Sequence, residues 1–219
     1  MYRLDAARTE LTTLHVLPDD GQIHMGAEAG YYIPLGFTVY RTNYDDGTDA
    51  LWEKLIDDLE SKTKVSIRYK YRDNMHIPEE AEAVDKMISL VKMDPRSDKS
   101  LLEGLDDDQL RAIFNEGTGG TPLNTERARR HCFFFVADAA VFRRQRGKRP
   151  WVRVVEVDYE PEEHDEDAQT YWGWMKMATS SMFFFYGELL GLELWEMAPE
   201  MADMEKAKIY DGGVSEDDE

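Results

Sequence analysis

The chain has 219 residues, 42% of them hydrophobic and 32% charged, which is too apolar for a disordered chain and enough for the core of one large domain or two small ones. Acidic residues outnumber basic ones 45 to 26, for a formal charge of −19, so phosphate backbones and anionic membranes are repelled at long range and nucleic acid is disfavoured as a partner. A single cysteine, Cys132, excludes an internal disulfide and fits a reducing compartment.

The N-terminus holds no apolar run of signal-peptide length, and SSMFFFYGELLGLELW (180–195) is too short and too charged to span a bilayer. The expectation is an intracellular protein, cytoplasmic or nuclear, that does not enter membranes. Residues 1–30 form an N-terminal extension in which LTTLHVL and QIHM read as two strands joined by a turn at Asp19, Asp20 and Gly21. LGFTVYRTNY (35–44), aromatic and β-branched, reads as a strand that DDGTD breaks. The next segment, ALWEKLIDDLESK (50–62), places Leu51, Trp52, Leu55, Ile56 and Leu59 on one helical face, with Asp49 and Glu53 near its positive end. Val65, Ile67, Tyr69 and Tyr71 then alternate, which predicts a second strand or an extended connection over 63–72.

Pro78 opens a helix over 78–93 with Val84, Met87, Ile88 and Val91 inward, and Pro95 ends it. A further helix over 106–117 starts at Asp106, with Gln109 three residues on, and stops at Gly117. These two helices form an insertion at about 73–125. HCFFFVAD (131–138) is a nearly continuous apolar run, suited to a central strand covered on both faces. AAVFRRQRGKRP leaves it as a short helix or turn; WVRVVEVDY (151–159) is a strand, PEEHDEDAQ an acidic loop, and YWGWMKMAT (171–179) a strand with Met175 and Met177 on one side and Trp172 and Trp174 on the other. SSMFFFYGELLG is a buried helix capped by Ser180 or Ser181, 201–219 is an acidic tail, and its end, IYDGGVSEDDE (209–219), reads as disordered. The whole is one α+β domain over 31–200, with an antiparallel or mixed sheet, helices on one face and a ferredoxin-like sandwich as a special case.

Three segments, LGFTVYRTNYDDGTDALWEKLIDDL, RHCFFFVAD and YWGWMKMATSSM, carry a pattern of Tyr40–Arg41, Trp52 and Gly173–Trp174–Met175–Lys176. In these the chain resembles a family of uncharacterised intracellular fungal (ascomycete) proteins. The resemblance implies a cytosolic globular protein and brings no activity and no catalytic residues.

The strongest unusual feature is the charge distribution. Between residues 127 and 153 stand nine basic residues and one acid, Asp138, against 17 basic and 44 acidic residues in the rest of the chain. Five of the nine are Arg143, Arg144, Arg146, Lys148 and Arg149. Guanidinium forks suit carboxylate or phosphate, so this segment reads as a surface for an acidic protein partner, a second copy of the chain or another anion. Alternatively it only balances the protein's own acidic surface. A second candidate is a small-molecule or enzyme pocket on the sheet, lined by Tyr40, Arg41, His131, Trp172 and Trp174, although buried aromatic side chains are ordinary core.

No catalytic motif is present. Cys132 lies in the most apolar run and reads as a buried thiol, and GTGGTP (117–122) lacks the Gly-Lys-Ser/Thr ending of a phosphate loop and reads as a connector. EEHDED (162–167) has unspaced carboxylates without the geometry of a cation loop, and no histidines share metal-binding spacing. No cofactor and no metal are implied. The function that follows is a protein-interaction module, with self-association through the Arg-rich segment as one form of it.

Overall fold

A computed structural model describes residues 6–14, 32–123, 132–145, 149–161, 171–189, 192–199 and 208–212. The chain is α+β. In order, its elements are α1 (Ala6–Thr13), β1 (Thr38–Arg41), α2 (Asp49–Lys70), α3 (Pro78–Leu90), β2 (Asp94–Arg96), α4 (Lys99–Leu102) and α5 (Asp107–Glu116). There follow β3 (Phe133–Ala137), α6 (Ala139–Arg144), β4 (Trp151–Glu156), β5 (Trp174–Ala178), α7 (Met182–Glu188), α8 (Leu194–Met197) and β6 (Ile209–Tyr210).

The strands form one mixed sheet in the order β2-β1-β3-β4-β5-β6. β1 runs parallel to both neighbours, with Tyr40 opposite Arg96 on one side and Arg41 opposite Ala137 on the other. β4 is antiparallel to β3 and to β5, and β6 is parallel to β5. The carboxyl ends of β1, β2 and β3 are therefore level, and β4 starts at that same end of the sheet.

Helices cover both faces, which explains the unbroken apolar run of β3, every residue of which is buried. On one face Phe185 of α7 packs 5.9 Å from Phe37 and from Phe133 between ring centroids. α2 joins the same layer: Ser66 Oγ donates to the Ser180 carbonyl at 3.1 Å and Lys62 Nζ to Thr179 Oγ1 at 3.1 Å. α3 packs on α2, and α1 on α3. On the opposite face Phe134 takes Tyr40 edge-on at 5.3 Å and Phe114 of α5 at 5.6 Å. Burying each such ring stabilises the fold by about 1.5–3 kcal/mol. The expectation of helices on one face holds for the long helices; α5 is the addition. The run of parallel strands about β1 also differs from the all-antiparallel sheet of a ferredoxin-like sandwich.

Several predicted elements differ from those observed. Residues 63–70 continue α2, because Leu55, Leu59, Thr63 and Ile67 are buried at intervals of four, whereas Val65 and Tyr69 of the apparent alternation are exposed. The start of LTTLHVL lies in α1; the remainder of the predicted hairpin is outside the described residues. Pro95 sits in β2, an edge strand where its missing N–H costs no ladder bond. The entry to this edge is close: a Cβ on Gly36 would stand 2.0 Å from the Lys92 carbonyl oxygen, so only glycine fits between these two backbone segments. Part of the predicted tail is ordered, since Ile209–Tyr210 pairs with β5.

The end signals at 106–117 are observed as predicted. Asp106 accepts from the Gln109 N–H at 2.9 Å, Gln109 Oε1 accepts from the Asp106 N–H at 3.0 Å, and Gly117 takes the left-handed conformation that closes α5. Ser181 occupies the N-cap position of α7 without a side-chain cap bond.

Candidate interaction face at the carboxyl ends of the parallel strands

The level ends of β1, β2 and β3 gather charge from segments far apart in sequence. β1 closes on Arg41, whose side chain is buried. Its Nε donates to the Asn43 carbonyl at 3.0 Å, and its Nη2 donates to Thr48 Oγ1 at 2.9 Å and to Asp49 Oδ1 at 2.6 Å. The guanidinium carbon lies 4.5 Å from the Tyr44 ring centroid and 5.8 Å from that of Phe142. One cation thus fastens the strand end, the following loop and the start of α2. Asp49 is 92% exposed and Asp45 and Asp46 stand beside it, so the surroundings of Arg41 are anionic and repel a second anion. Burial pushes the Tyr44 phenol up to about 12, against the pull of Arg41 and with the help of Asp98 and Glu103.

The loop between α4 and α5 is drawn to the same end by the Gly104 N–H, which donates to the Thr42 carbonyl at 2.9 Å. α5 begins there, and Asp107 meets Arg153 of β4: Nη2 is 2.8 Å from Oδ1, and Nη1 donates to Oδ2 at 3.2 Å. Arg153 Nε also lies 3.5 Å from Asp138 Oδ2. Asp138 caps α6 through the N–H groups of Ala140 and Val141 at 2.8 and 2.9 Å. Desolvation raises the Asp107 carboxyl above its ordinary value and outweighs the opposing pull of Arg153 and Arg111. Arg153 is therefore one member of the basic segment that does neutralise the protein's own carboxylates.

Arg143 and Arg144 behave otherwise. Both are exposed in the last turn of α6, where positive charge suits the helix dipole, and among the described residues neither makes an ion pair. Arg149 is exposed at the same end, one residue before Pro150, and has an interaction of its own. Arg146 and Lys148 lie outside the described residues. On the other half of this end Asp45, Asp46, Asp98 and Asp106 are exposed, and among the described residues none of the four pairs with a cation. Sequence reading missed these four as a group because they come from three different loops. The strand register and the Gly104–Thr42 bond bring them together.

The proposed pocket residues are distributed over the sheet. Tyr40 and Arg41 are consecutive on β1 and leave opposite faces. Tyr40 is buried against Phe134, and burial pushes its phenol up to about 12. Trp174 is on the Tyr40 face but beyond β3 and β4, buried 5.7 Å from the Arg153 guanidinium carbon. Trp172 is half-buried just before β5, and His131 lies outside the described residues. Cys132 is buried, and the acidic loop 162–167 lies outside the described residues. In GTGGTP the Arg96 guanidinium donates to the carbonyls of Gly119 and Thr121. The loop thus turns acceptors toward a cation, the reverse of a phosphate cradle.

Among the described residues no helix is long and apolar enough to cross a membrane, and no group of three His, Cys, Asp or Glu side chains converges on a metal-sized site. No family model, no curated protein and no solved structure matches this chain.

Proposed function

We propose that the protein is an interaction module that docks an acidic protein surface on the exposed end of α6, with Arg143 and Arg144 as the contacting cations. One observation carries this reading: in a chain of charge −19, these two guanidinium groups are exposed and pair with no carboxylate among the described residues. A basic segment that served only internal neutralisation would place them as it places Arg153, on Asp107 and Asp138. Planar guanidinium donors match carboxylates in pairs, and desolvating them against a partner strengthens each contact. The neighbouring Asp45, Asp46 and Asp106 work against a phosphate backbone, which would have to approach the same end of the sheet. The resemblance to uncharacterised fungal proteins adds no activity to this reading.

The test is an amide NMR titration with a short Asp/Glu-rich peptide at about 0.15 M salt, where the Debye length is about 8 Å and only contact-range charge is felt. Shifts centred on Arg143 and Arg144 that vanish in R143E/R144E are expected. Shifts absent from α6, or unchanged in the variant, overturn the proposal.

A further inference from the structure

Resting on that reading, we infer that the acidic surface is supplied by a second copy of this chain, and that the two copies meet about a two-fold axis at the carboxyl ends of the parallel strands. The argument is the placement of unpaired charge. Across this end of the sheet, the loops after β2 and β1 and the start of α5 present Asp98, Asp45, Asp46 and Asp106. α6, which leads from β3 towards β4, presents Arg143 and Arg144. Charges of both signs are thus exposed side by side on one end, and among the described residues they do not pair with one another within the molecule.

A two-fold axis through that end lays the acidic half of each copy on the basic half of the other. Such a contact is self-complementary and closes at two copies, where a head-to-tail contact would propagate. The net charge of −19 on each copy opposes approach. At about 0.15 M salt, however, carboxylates more than about 8 Å from the contact are screened, while the facing strips are not. Exposed ion pairs are individually weak, so the association is expected near ~1 mM, in the range of transient contacts.

Charge reversal with rescue tests this geometry. Sedimentation equilibrium of the full chain, from ~0.02 to ~1 mM, should show reversible dimer at about 0.15 M salt and monomer at about 1 M. R143E/R144E and D45K/D46K should each lose dimer, because each makes both facing strips alike in sign. An equimolar mixture of the two variants should regain it, since every strip again faces its opposite. D46K alone repeats the acidic arm while keeping the Asn43–Asp45 hydrogen bond of the loop. A wild type that stays monomeric throughout, a dimer that survives either reversal, or a mixture that fails to regain dimer overturns the inference. If the wild type is monomeric but its α6 amides still shift with the acidic peptide, only the second copy is eliminated and the docking face stands; if both signals are absent, both readings fall.

Discussion

Two aspartates on the same end of the sheet are driven in opposite directions, and the cause lies in what each touches. Asp107 is largely withdrawn from water, and desolvation of its carboxylate exceeds the attraction of Arg153 and Arg111. Asp98 is fully exposed and receives the Ser100 hydroxyl and N–H, which hold it below its ordinary value. A carboxyl-carbon NMR titration should therefore place the Asp107 midpoint above 3.8 and that of Asp98 below it. The linkage signs follow. The raised group contributes stability that is fully present below 3.8 and is lost as pH rises through its folded value; the depressed group contributes above 3.8 and is lost as pH falls through its folded value. Asp107→Asn removes the first dependence and leaves the second. An Asp107 midpoint at or below that of Asp98 would mean that the Arg153 pair, not desolvation, governs the site.

Among the elements, α5 could be read from the sequence by its reciprocal cap, and α7 and β3 by their continuous apolar runs. Others were not readable because they hold too few residues for a period to show. β2 has three residues and β6 two, and each exists only because a neighbouring strand offers free backbone groups. The end of α2 imitates a strand for a different reason: Thr63, Ile67 and Tyr71 are buried four apart, and the exposed Val65 and Tyr69 fall midway between them, so that apolar residues recur at every second position. The docking of α1 was equally hidden, since it depends on Glu80 of α3, 73 positions away. Glu80 is 1% exposed, and its Oε2 accepts from the Ala7 N–H at 2.8 Å, one of the orphan donors of the first turn of α1. Further along α1, Glu10 accepts from Lys70 and from the Tyr71 phenol, which burial and this bond push up. Glu80→Ala should leave the Ala7 donor buried and unpaired, at a cost of roughly 1–3 kcal/mol. Glu80→Gln keeps an acceptor and should lose less. Hydrogen exchange followed by mass spectrometry should show α1 opening in the alanine variant while β3 stays protected; unchanged protection of α1 would rule out Glu80 as its tether.

For the molecule as a whole, the basic segment could be counted from the sequence, whereas the acidic half of the same end could not, because Asp45, Asp98 and Asp106 become neighbours only through parallel strands and the Gly104–Thr42 bond. The two charge scales then act with opposite signs in salt. The excess of −19 repels itself throughout the folded molecule, and added salt screens that repulsion, so the dilute monomer should become more stable as salt rises. A gain of about 1 kcal/mol corresponds to roughly 2–4 °C in thermal midpoint for a chain of this size. Reversing two arginines takes the charge from −19 to −23, since each Arg→Glu change subtracts two, and should steepen the salt dependence. D46K takes it from −19 to −17 and should flatten it. Contact between facing strips is an attraction over a few ångströms, and the same salt weakens it. Thermal unfolding well below the association range, set beside sedimentation at high concentration, should therefore show stability rising while dimer falls. A wild-type midpoint that drops with salt would instead mean that local pairs such as Arg153–Asp107 and Arg41–Asp49 outweigh the global repulsion, and the variants should then keep the wild-type slope.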